Sequence, residues 1–180
     1  MQAPARLLKK GATYDDLCRV PDRFIAEILD GDLYASPWPA LPHARATGVL
    51  IAELGAAFDL GDEPGGWIML FRPELHFGND VLVPDIAGWR RERLPSLPDV
   101  AYLTLAPDWI CEVVSPATET IDRGKKLRIY AREGVVHAWL IDPLAHALEV
   151  MELEAGRGTL LSRYEGDAGV RAAPFAPIEL

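Results

Sequence analysis

The chain has 180 residues and a formal net charge of −9; 49% of its residues are hydrophobic and 25% are charged. These values are typical of one globular domain with a single core, and they exclude disordered, collagen-like and strongly basic nucleic-acid-coating proteins. No apolar run reaches the about 20 residues that a membrane helix requires, and the N-terminus has no secretory signal pattern. We therefore expect a cytoplasmic protein that does not enter the membrane.

The first third of the chain predicts a loose start, a short helix and a β-hairpin. Residues 1–12 carry no clear pattern, and Thr13 is a candidate N-cap for the helix that follows. An Asp-Gly dipeptide at 30–31 separates two apolar segments and is typical of a tight hairpin turn. The proline-rich segment 36–42 predicts a loop, and the apolar spacing over 43–60 predicts an amphipathic helix.

The rest of the chain alternates between candidate strands and one further helix. We predict strands over 67–77, 81–90, 109–114, 135–142 and 146–154, a loop over 93–107, a helix over 118–134, and a final strand or loop from 156. A strand, a crossover helix and a returning strand require at least one parallel pairing. The pattern therefore predicts an α/β or α+β fold with a mixed sheet.

Two acidic residues are surrounded by apolar neighbours in these predicted strands. Asp85 lies in VLVPDIAGW and Glu112 lies in WICEVVSP. A buried carboxylate is costly unless it is paired or binds a metal, and hard divalent cations prefer carboxylate oxygens. The alternative is that each acid reaches solvent at a strand end or forms a buried salt bridge. If the two acids lie on adjacent strands, they would form a cation site.

The helix predicted over 118–134 places a lysine near these acids. Asp122, Lys126 and Tyr130 are spaced i, i+4 and i+8, so they share one face of the helix. Lys126 would then point back toward the two carboxylates. The alternative is an exposed lysine that pairs with Asp122.

An ordered set of segments resembles a known family. EILDGDL, LPHARATGVLIAEL, VLVPDIAGW, ICEVVSP and DRGKKLRIYAREGVVHAWLIDP together resemble the Uma-two family, a branch of the PD-(D/E)XK nuclease superfamily. The resemblance extends from about residue 14 to about residue 143. It implies a restriction-endonuclease-like αβββαβ core with a mixed central sheet and extra N-terminal and C-terminal strands. Within a single domain of 1–180, the helix and hairpin would occupy 13–42, the nuclease core 43–143 and a C-terminal extension 144–180.

The resemblance also implies catalytic and metal-binding residues. Asp85 matches the aspartate of the family motif, and Glu112 matches its second acid. The usual lysine position, two residues after that acid, holds Val114, whereas Lys126 matches an alternative position on the following helix. The implied activity is metal-dependent endonucleolytic hydrolysis, in which Asp85, Glu112 and the carbonyl of Val113 bind Mg²⁺ or Mn²⁺ and Lys126 acts on the attacking water.

Further residues are candidates for supporting roles and for substrate binding. Glu27, His43, Asp122 and Tyr130 match recurrent family positions without a settled role, and Glu74, in the segment FRPELHF, is a candidate additional acid near the metal. The residues predicted to contact nucleic acid, with DNA as the expected substrate, are Arg90, Arg91, Arg123, Lys125 and Arg128. From charge alone, these basic clusters could equally be solvated surface.

Two other functions remain open at this stage. One is a catalytically inactive nuclease-fold domain that binds nucleic acid or mediates dimerisation, and a homodimer is also compatible with the nuclease hypothesis. The other is hydrolysis of a small phosphate-containing molecule. The position of Lys126 separates the first two hypotheses, because a lysine that points to solvent would favour the inactive domain.

Overall fold

The computed structural model describes residues 4–61 and 65–180. Its strands are β1 (Arg6–Lys9), β2 (Phe24–Leu29), β3 (Asp32–Pro37), β4 (Trp67–Phe71), β5 (Leu75–Phe77), β6 (Asp80–Leu82), β7 (Ile86–Arg90), β8 (Trp109–Val113), β9 (His137–Asp142), β10 (Ala147–Glu154) and β11 (Arg157–Glu165). Its helices are α1 (Tyr14–Leu17), α2 (Leu41–Leu54), α3 (Glu119–Ile121) and α4 (Leu127–Arg132). A π-helical turn follows α2 over Gly55–Asp59, and another joins α3 to α4 over Asp122–Lys126. No helix in the two described ranges is long and apolar enough to cross a membrane.

The strands form two sheets. The five-stranded sheet has the order β1-β3-β2-β6-β5, and its paired strands are antiparallel. The six-stranded sheet has the order β11-β10-β9-β8-β7-β4, and β8 and β9 pair in parallel while their neighbours are antiparallel. The helical segment α3–α4 is the crossover between the two parallel strands. The order α2, β4, β7, β8, α3–α4, β9 is therefore the predicted αβββαβ core, and the predicted mixed sheet is confirmed.

Two segments that were each predicted as a single strand are divided between the sheets. The segment 67–77 forms β4 of the six-stranded sheet and β5 of the five-stranded sheet, and the segment 81–90 forms β6 and β7 in the same way. Pro73 and Pro84 lie at the two breaks, and proline cannot donate a ladder hydrogen bond. Asp85 consequently lies just before β7, at the junction between the sheets, and not within a strand.

The N-terminal part of the fold also differs in detail from the prediction. Strand β1 lies in the predicted loose start and pairs with β3; residues 1–3 of that start lie outside the described residues. The hairpin turn at 30–31 is confirmed, since Asp30 and Gly31 both have positive φ, of 54° and 79°. The predicted loop over 36–42 is confined to 38–40, because β3 extends to Pro37 and α2 begins at Leu41. Helix α2 accommodates Pro42 in its first turn, where no backbone donor is lost.

The core lies on both faces of the six-stranded sheet. Successive residues of β8 point to opposite faces, so Ile110 packs with residues of α4 whereas Trp109 and Cys111 pack with α2 and the C-terminal tail. The tail contributes Phe175, whose ring is fully buried among the rings of Phe58, Trp67, Trp109 and Trp139 at centroid distances of 4.7–5.6 Å. The segment 144–180 is thus partly a component of the core.

We expect the replacement Phe175→Ala to lower the free energy of unfolding by about 3–5 kcal/mol, because it leaves a cavity among four aromatic rings. Chemical denaturation monitored by tryptophan fluorescence measures this loss. The matched control is Phe71→Ala, since Phe71 is 56% exposed, and its effect should be below about 1 kcal/mol. Equal effects of the two replacements would contradict a core role for the tail.

Candidate functional site

One cleft between the two sheets is lined by most of the predicted catalytic, metal-binding and supporting residues. It has a volume of about 40 Å³, which is enough for a small ion or a few waters. The sequence-predicted residues that line it are Glu27, His43, Asp85, Glu112, Asp122 and Lys126, and Arg72 lies among them. They come from β2, α2, β8, the turn between α3 and α4, and the chain breaks between the sheets. Residues far apart in sequence therefore meet at one place.

The carboxylate of Asp85 is held from three sides. Its Oδ1 accepts hydrogen bonds from Nε and Nη2 of Arg72, at 3.3 and 3.1 Å, and lies 2.9 Å from Nε2 of His43. Its Oδ2 accepts a hydrogen bond from the backbone N–H of Val113 at 3.0 Å. The N–H and the C=O of a strand residue point toward the same neighbouring strand, so the carbonyl of Val113 faces the Asp85 side of β8. Asp85 is thereby fixed next to the strand that carries Glu112.

Lys126 lies in the cleft and not in solvent. It is 2% exposed, and its Nζ lies 2.9 Å from Oε1 of Glu112 and 2.9 Å from Oε1 of Glu27. The alternative prediction of an exposed lysine that pairs with Asp122 is wrong about the exposure, and Asp122 contributes a longer contact of 3.8 Å. Glu27 is itself fixed by a hydrogen bond from the backbone N–H of Val83.

Tyr130 and Asp122 complete the surroundings of this lysine. The hydroxyl of Tyr130 donates a hydrogen bond of 2.7 Å to Oε1 of Glu112, and both side chains are buried. The predicted common face of Asp122, Lys126 and Tyr130 is therefore present. Asp122 and Lys126 are the first and last residues of the π-helical turn, a distortion that often occurs at functional sites.

The electrostatics of the cleft shift the pKa values of Asp85 and Glu112 in opposite directions. Burial opposes ionisation of Asp85, but the hydrogen bond from the neighbouring histidine and the charge of Lys126 hold the pKa of Asp85 below its usual value. Burial and the neighbouring carboxylates raise the pKa of Glu112 well above its usual range. Burial alone would lower the pKa of Lys126. The negative charges of Glu112 and Glu27 outweigh the effect of burial and raise the pKa, so Lys126 stays charged at neutral pH. Burial also raises the pKa of Asp122, to about 6.

The donor set fits a hard divalent cation. Oδ2 of Asp85 has one hydrogen-bond donor, and Oε2 of Glu112 has none among the described residues, so both oxygens have a lone pair available to coordinate a cation. Two carboxylates, a backbone carbonyl and several waters are a normal ligand set for Mg²⁺. Within residues 4–61 and 65–180 no group of three or more His, Cys, Asp or Glu side chains is arranged to hold a metal ion. A cation bound here would therefore depend on these two carboxylates.

The structure places Glu74 away from the cleft. One of its carboxylate oxygens accepts a hydrogen bond from the hydroxyl of Tyr14 and lies 2.7 Å from Nε2 of His76. His76 is in turn stacked on Tyr102. At Pro73 the chain leaves β4 and joins the five-stranded sheet. Glu74 therefore lies away from Asp85 and Glu112. The hypothesis of an additional acid near the metal is not supported by this geometry.

The arginines at the end of β7 lie far from the cleft. Arg90 and Arg91 are at the opposite end of the strand from Asp85, a separation of about 17 Å along an extended chain. Arg90 is positioned over the ring of Trp67, and Arg91 forms an ion pair of 2.7 Å with Asp59. Contacts between these two arginines and nucleic acid stay a prediction.

The basic residues on the α3–α4 segment form ion pairs within the chain. Lys125 and Arg128 both contact Asp30 in the hairpin turn, at 3.5 and 2.7 Å, and Arg123 contacts Glu119 and Glu149. Nucleic acid would have to compete with these acids for the same cations. Their role in substrate binding is therefore also still a prediction.

Sequence reasoning assigned no role to Arg72, which contacts Asp85 directly. A cation between Phe71 and Pro73 in an otherwise apolar segment is a weak signal, and its contact with Asp85 depends on pairing between β4 and β7. Its backbone has a φ of 48°, which the sequence pattern does not reveal.

Comparison with known proteins agrees with this fold. A crystal structure described as "a putative nuclease belonging to DUF820", from Anabaena variabilis ATCC 29413, is similar over 94% of each chain, with a TM-score of 0.74 and 22% sequence identity. This likeness confirms the predicted restriction-endonuclease-like α+β fold. No curated protein sequence matches the chain. The profile of the Uma2 family, described as "Putative restriction endonuclease", matches residues 12–180. The chain belongs to the Uma2 family.

Proposed function

We propose that the protein hydrolyses phosphodiester bonds of nucleic acid, with DNA as the substrate and Mg²⁺ or Mn²⁺ as the cofactor. The observation that carries this proposal is the burial of Lys126 against Glu112 in the same cleft as Asp85. The family description and the nuclease named as its structural neighbour support the same chemistry. The assignments of Asp85, Glu112 and Lys126 as catalytic residues, and of Asp85, Glu112 and the Val113 carbonyl as metal ligands, are parts of this proposal.

The cost of burying these charges argues against an inactive domain. Desolvation of a charged group costs several kcal/mol, and a buried ion pair recovers this cost only in part. A domain that served only as a binding or dimerisation module would be more stable with apolar residues at these positions. Several perturbed pKa values in one cleft are instead typical of an active site.

The mechanism follows from the positions of the side chains. Asp85, Glu112 and the Val113 carbonyl would hold Mg²⁺, which when bound polarises the phosphate and lowers the pKa of water. The ammonium group of Lys126 orients the attacking water and offsets the negative charge that develops on the phosphate. Glu27 keeps Lys126 charged and in place. Tyr130 binds one oxygen of Glu112 and leaves the other free to face the cleft.

The test is cleavage of supercoiled plasmid and of single-stranded oligonucleotides by the purified protein. We expect nicking with Mg²⁺ or Mn²⁺ and none with EDTA, because the carboxylates need a cation to act on phosphate. The same cations should raise the melting temperature by preferential binding to the folded state. Absence of both cleavage and the thermal shift would contradict the proposed function. A shift without cleavage of either substrate would limit the proposal to metal binding.

A further inference from the structure

Arg72 has hydrogen-bond donors in the cleft that have no part in the proposed hydrolysis and could bind a ligand. Its guanidinium group lies at the cleft wall, and its side chain is only 11% exposed. Its Nε and Nη2 both donate to Oδ1 of Asp85, and Nη2 also lies 3.5 Å from Nε2 of His43. Its Nη1 forms no hydrogen bond with any residue in the described ranges. A guanidinium has five N–H donors, so the N–H groups of Nη1 remain available next to the proposed metal ligand.

The surroundings of Arg72 fix the plane of this group. The guanidinium carbon lies 5.2 Å from the ring centre of Trp38 and 5.3 Å from that of Phe71. The backbone N–H of Arg72 donates a hydrogen bond of 3.1 Å to the carbonyl of Asp85. These contacts restrict the rotamers of a side chain that is flexible on a protein surface. The guanidinium is thus oriented before any ligand arrives.

The backbone of Arg72 is also strained. Its φ of 48° lies in the left-handed region, which non-glycine residues adopt rarely and at a cost. Strain of this kind persists where the surrounding structure requires it, and it is concentrated at functional sites. Here the left-handed residue turns the side chain back toward Asp85 at the point where the chain leaves β4.

We propose that Arg72 binds a non-bridging oxygen of the substrate phosphodiester through the donors that Asp85 leaves free. Planar guanidinium groups match the geometry of phosphate oxygens, and their hydrogen bonds to an anion are stronger than neutral ones. Because Arg72 also holds Asp85, it places the phosphate beside the proposed metal ligands. This inference rests on the proposed function, since it assumes that the cleft receives a phosphodiester.

The experiment measures binding and not cleavage. A fluorescein-labelled 20-nucleotide oligonucleotide, single-stranded and duplex, is titrated in EDTA with the wild-type protein and with Arg72→Gln at several salt concentrations. We expect Arg72→Gln to weaken binding about tenfold at low salt and to reduce the slope of log K against log salt by about 0.7–0.9, the value for one phosphate contact. Thermal melting of each variant is recorded in parallel.

The matched control is Arg157→Gln, which removes the same charge at the other end of the sheet. Arg157 begins β11, the edge strand of the six-stranded sheet opposite β4, where it pairs with Glu154 of β10, and it is exposed. We expect its affinity and salt slope to match those of the wild type. If Arg72→Gln and Arg157→Gln bind alike, or if the wild type does not bind the oligonucleotide, the inference is wrong.

A second replacement covers the case in which Arg72→Gln does not fold. Arg72→Lys keeps the charge but loses the planar fork, so it should keep the salt slope and still lose affinity. Wild-type affinity in this variant would overturn the role of the guanidinium. The proposed function and the inference about Arg72 can be contradicted separately. Binding by the wild type without metal-dependent cleavage would contradict hydrolysis alone. Cleavage by the wild type together with unchanged binding by Arg72→Gln would contradict only the inference about Arg72.

Discussion

Replacement of Glu112 by glutamine is expected to reduce metal-dependent cleavage by more than about 10³-fold. Glutamine preserves the shape of the side chain but removes the charge that would hold the cation, and loss of several kcal/mol of metal-assisted stabilisation has this effect on rate. The thermal shift with Mg²⁺ should disappear as well. At tenfold over its Kd, a cation stabilises the folded wild type by about 1.4 kcal/mol, a shift of a few degrees.

Glu112→Gln should fold normally in the absence of metal. Burial and the neighbouring carboxylates raise the pKa of Glu112, and Lys126 keeps its ion pair with Glu27, so a neutral side chain is tolerated at position 112. The matched control is Glu149→Gln, which changes another buried glutamate of the same sheet, one that pairs with Arg123 and Arg163 outside the cleft. Cleavage should survive in this control. Residual cleavage of Glu112→Gln at the wild-type level would show that the nicking comes from another group or a contaminant.

Replacement of Lys126 by methionine is expected to lower both activity and stability. The loss of its charge should reduce cleavage by about 10²–10³-fold, as does loss of one group that stabilises developing negative charge. It also leaves the carboxylates of Glu27 and Glu112 buried without their cation. Removal of one partner of a buried ion pair typically costs about 3–5 kcal/mol. Denaturant titration and plasmid cleavage measure the two effects independently.

The neighbouring lysine supplies the control. Lys125 is one-third exposed and contacts Asp30 at 3.5 Å, so Lys125→Met should cost less than about 1 kcal/mol. It should lower cleavage much less than Lys126→Met does, because at most it removes one predicted phosphate contact outside the cleft. Combining Lys126→Met with Glu112→Gln should recover part of the lost stability, because one uncompensated charge is removed. If Lys126→Met is as stable and as active as Lys125→Met, the central role of the buried lysine is wrong.

Local sequence patterns predict the part of the site that lies on one β-α-β unit. Glu112 is flanked by apolar residues on a short strand, and Lys126 and Tyr130 follow at helical spacing, so the strand and the helix face were both correctly predicted. The parallel pairing of β8 and β9 also follows from the crossover helix between them. All of these elements are close in sequence, and periodicity is informative at that range.

The rest of the candidate site depends on contacts between segments that are distant in sequence. Asp85 was predicted within a strand, but the chain passes between sheets at Pro84, and nothing in a single apolar run shows which sheet each half joins. The left-handed backbone at Arg72 is equally invisible in the sequence. Lys125 and Arg128 were predicted to contact substrate because they lie in a basic cluster. Their ion-pair partner Asp30 lies almost a hundred positions earlier in the chain, so the sequence does not reveal these pairs. Charge runs show where cations are, not what they contact.

The junction between the two sheets has a consequence for how activity is lost. Glu27 belongs to the five-stranded sheet and Glu112 to the six-stranded sheet, and Lys126 spans them with one ammonium group. A slight separation of the sheets would break this bridge and displace Asp85, while each sheet kept its own hydrogen bonds. We therefore expect heat or mild denaturant to abolish the proposed cleavage before either sheet unfolds. The temperature at which this activity is lost would then depend on the docking of the sheets and not on the stability of their strands.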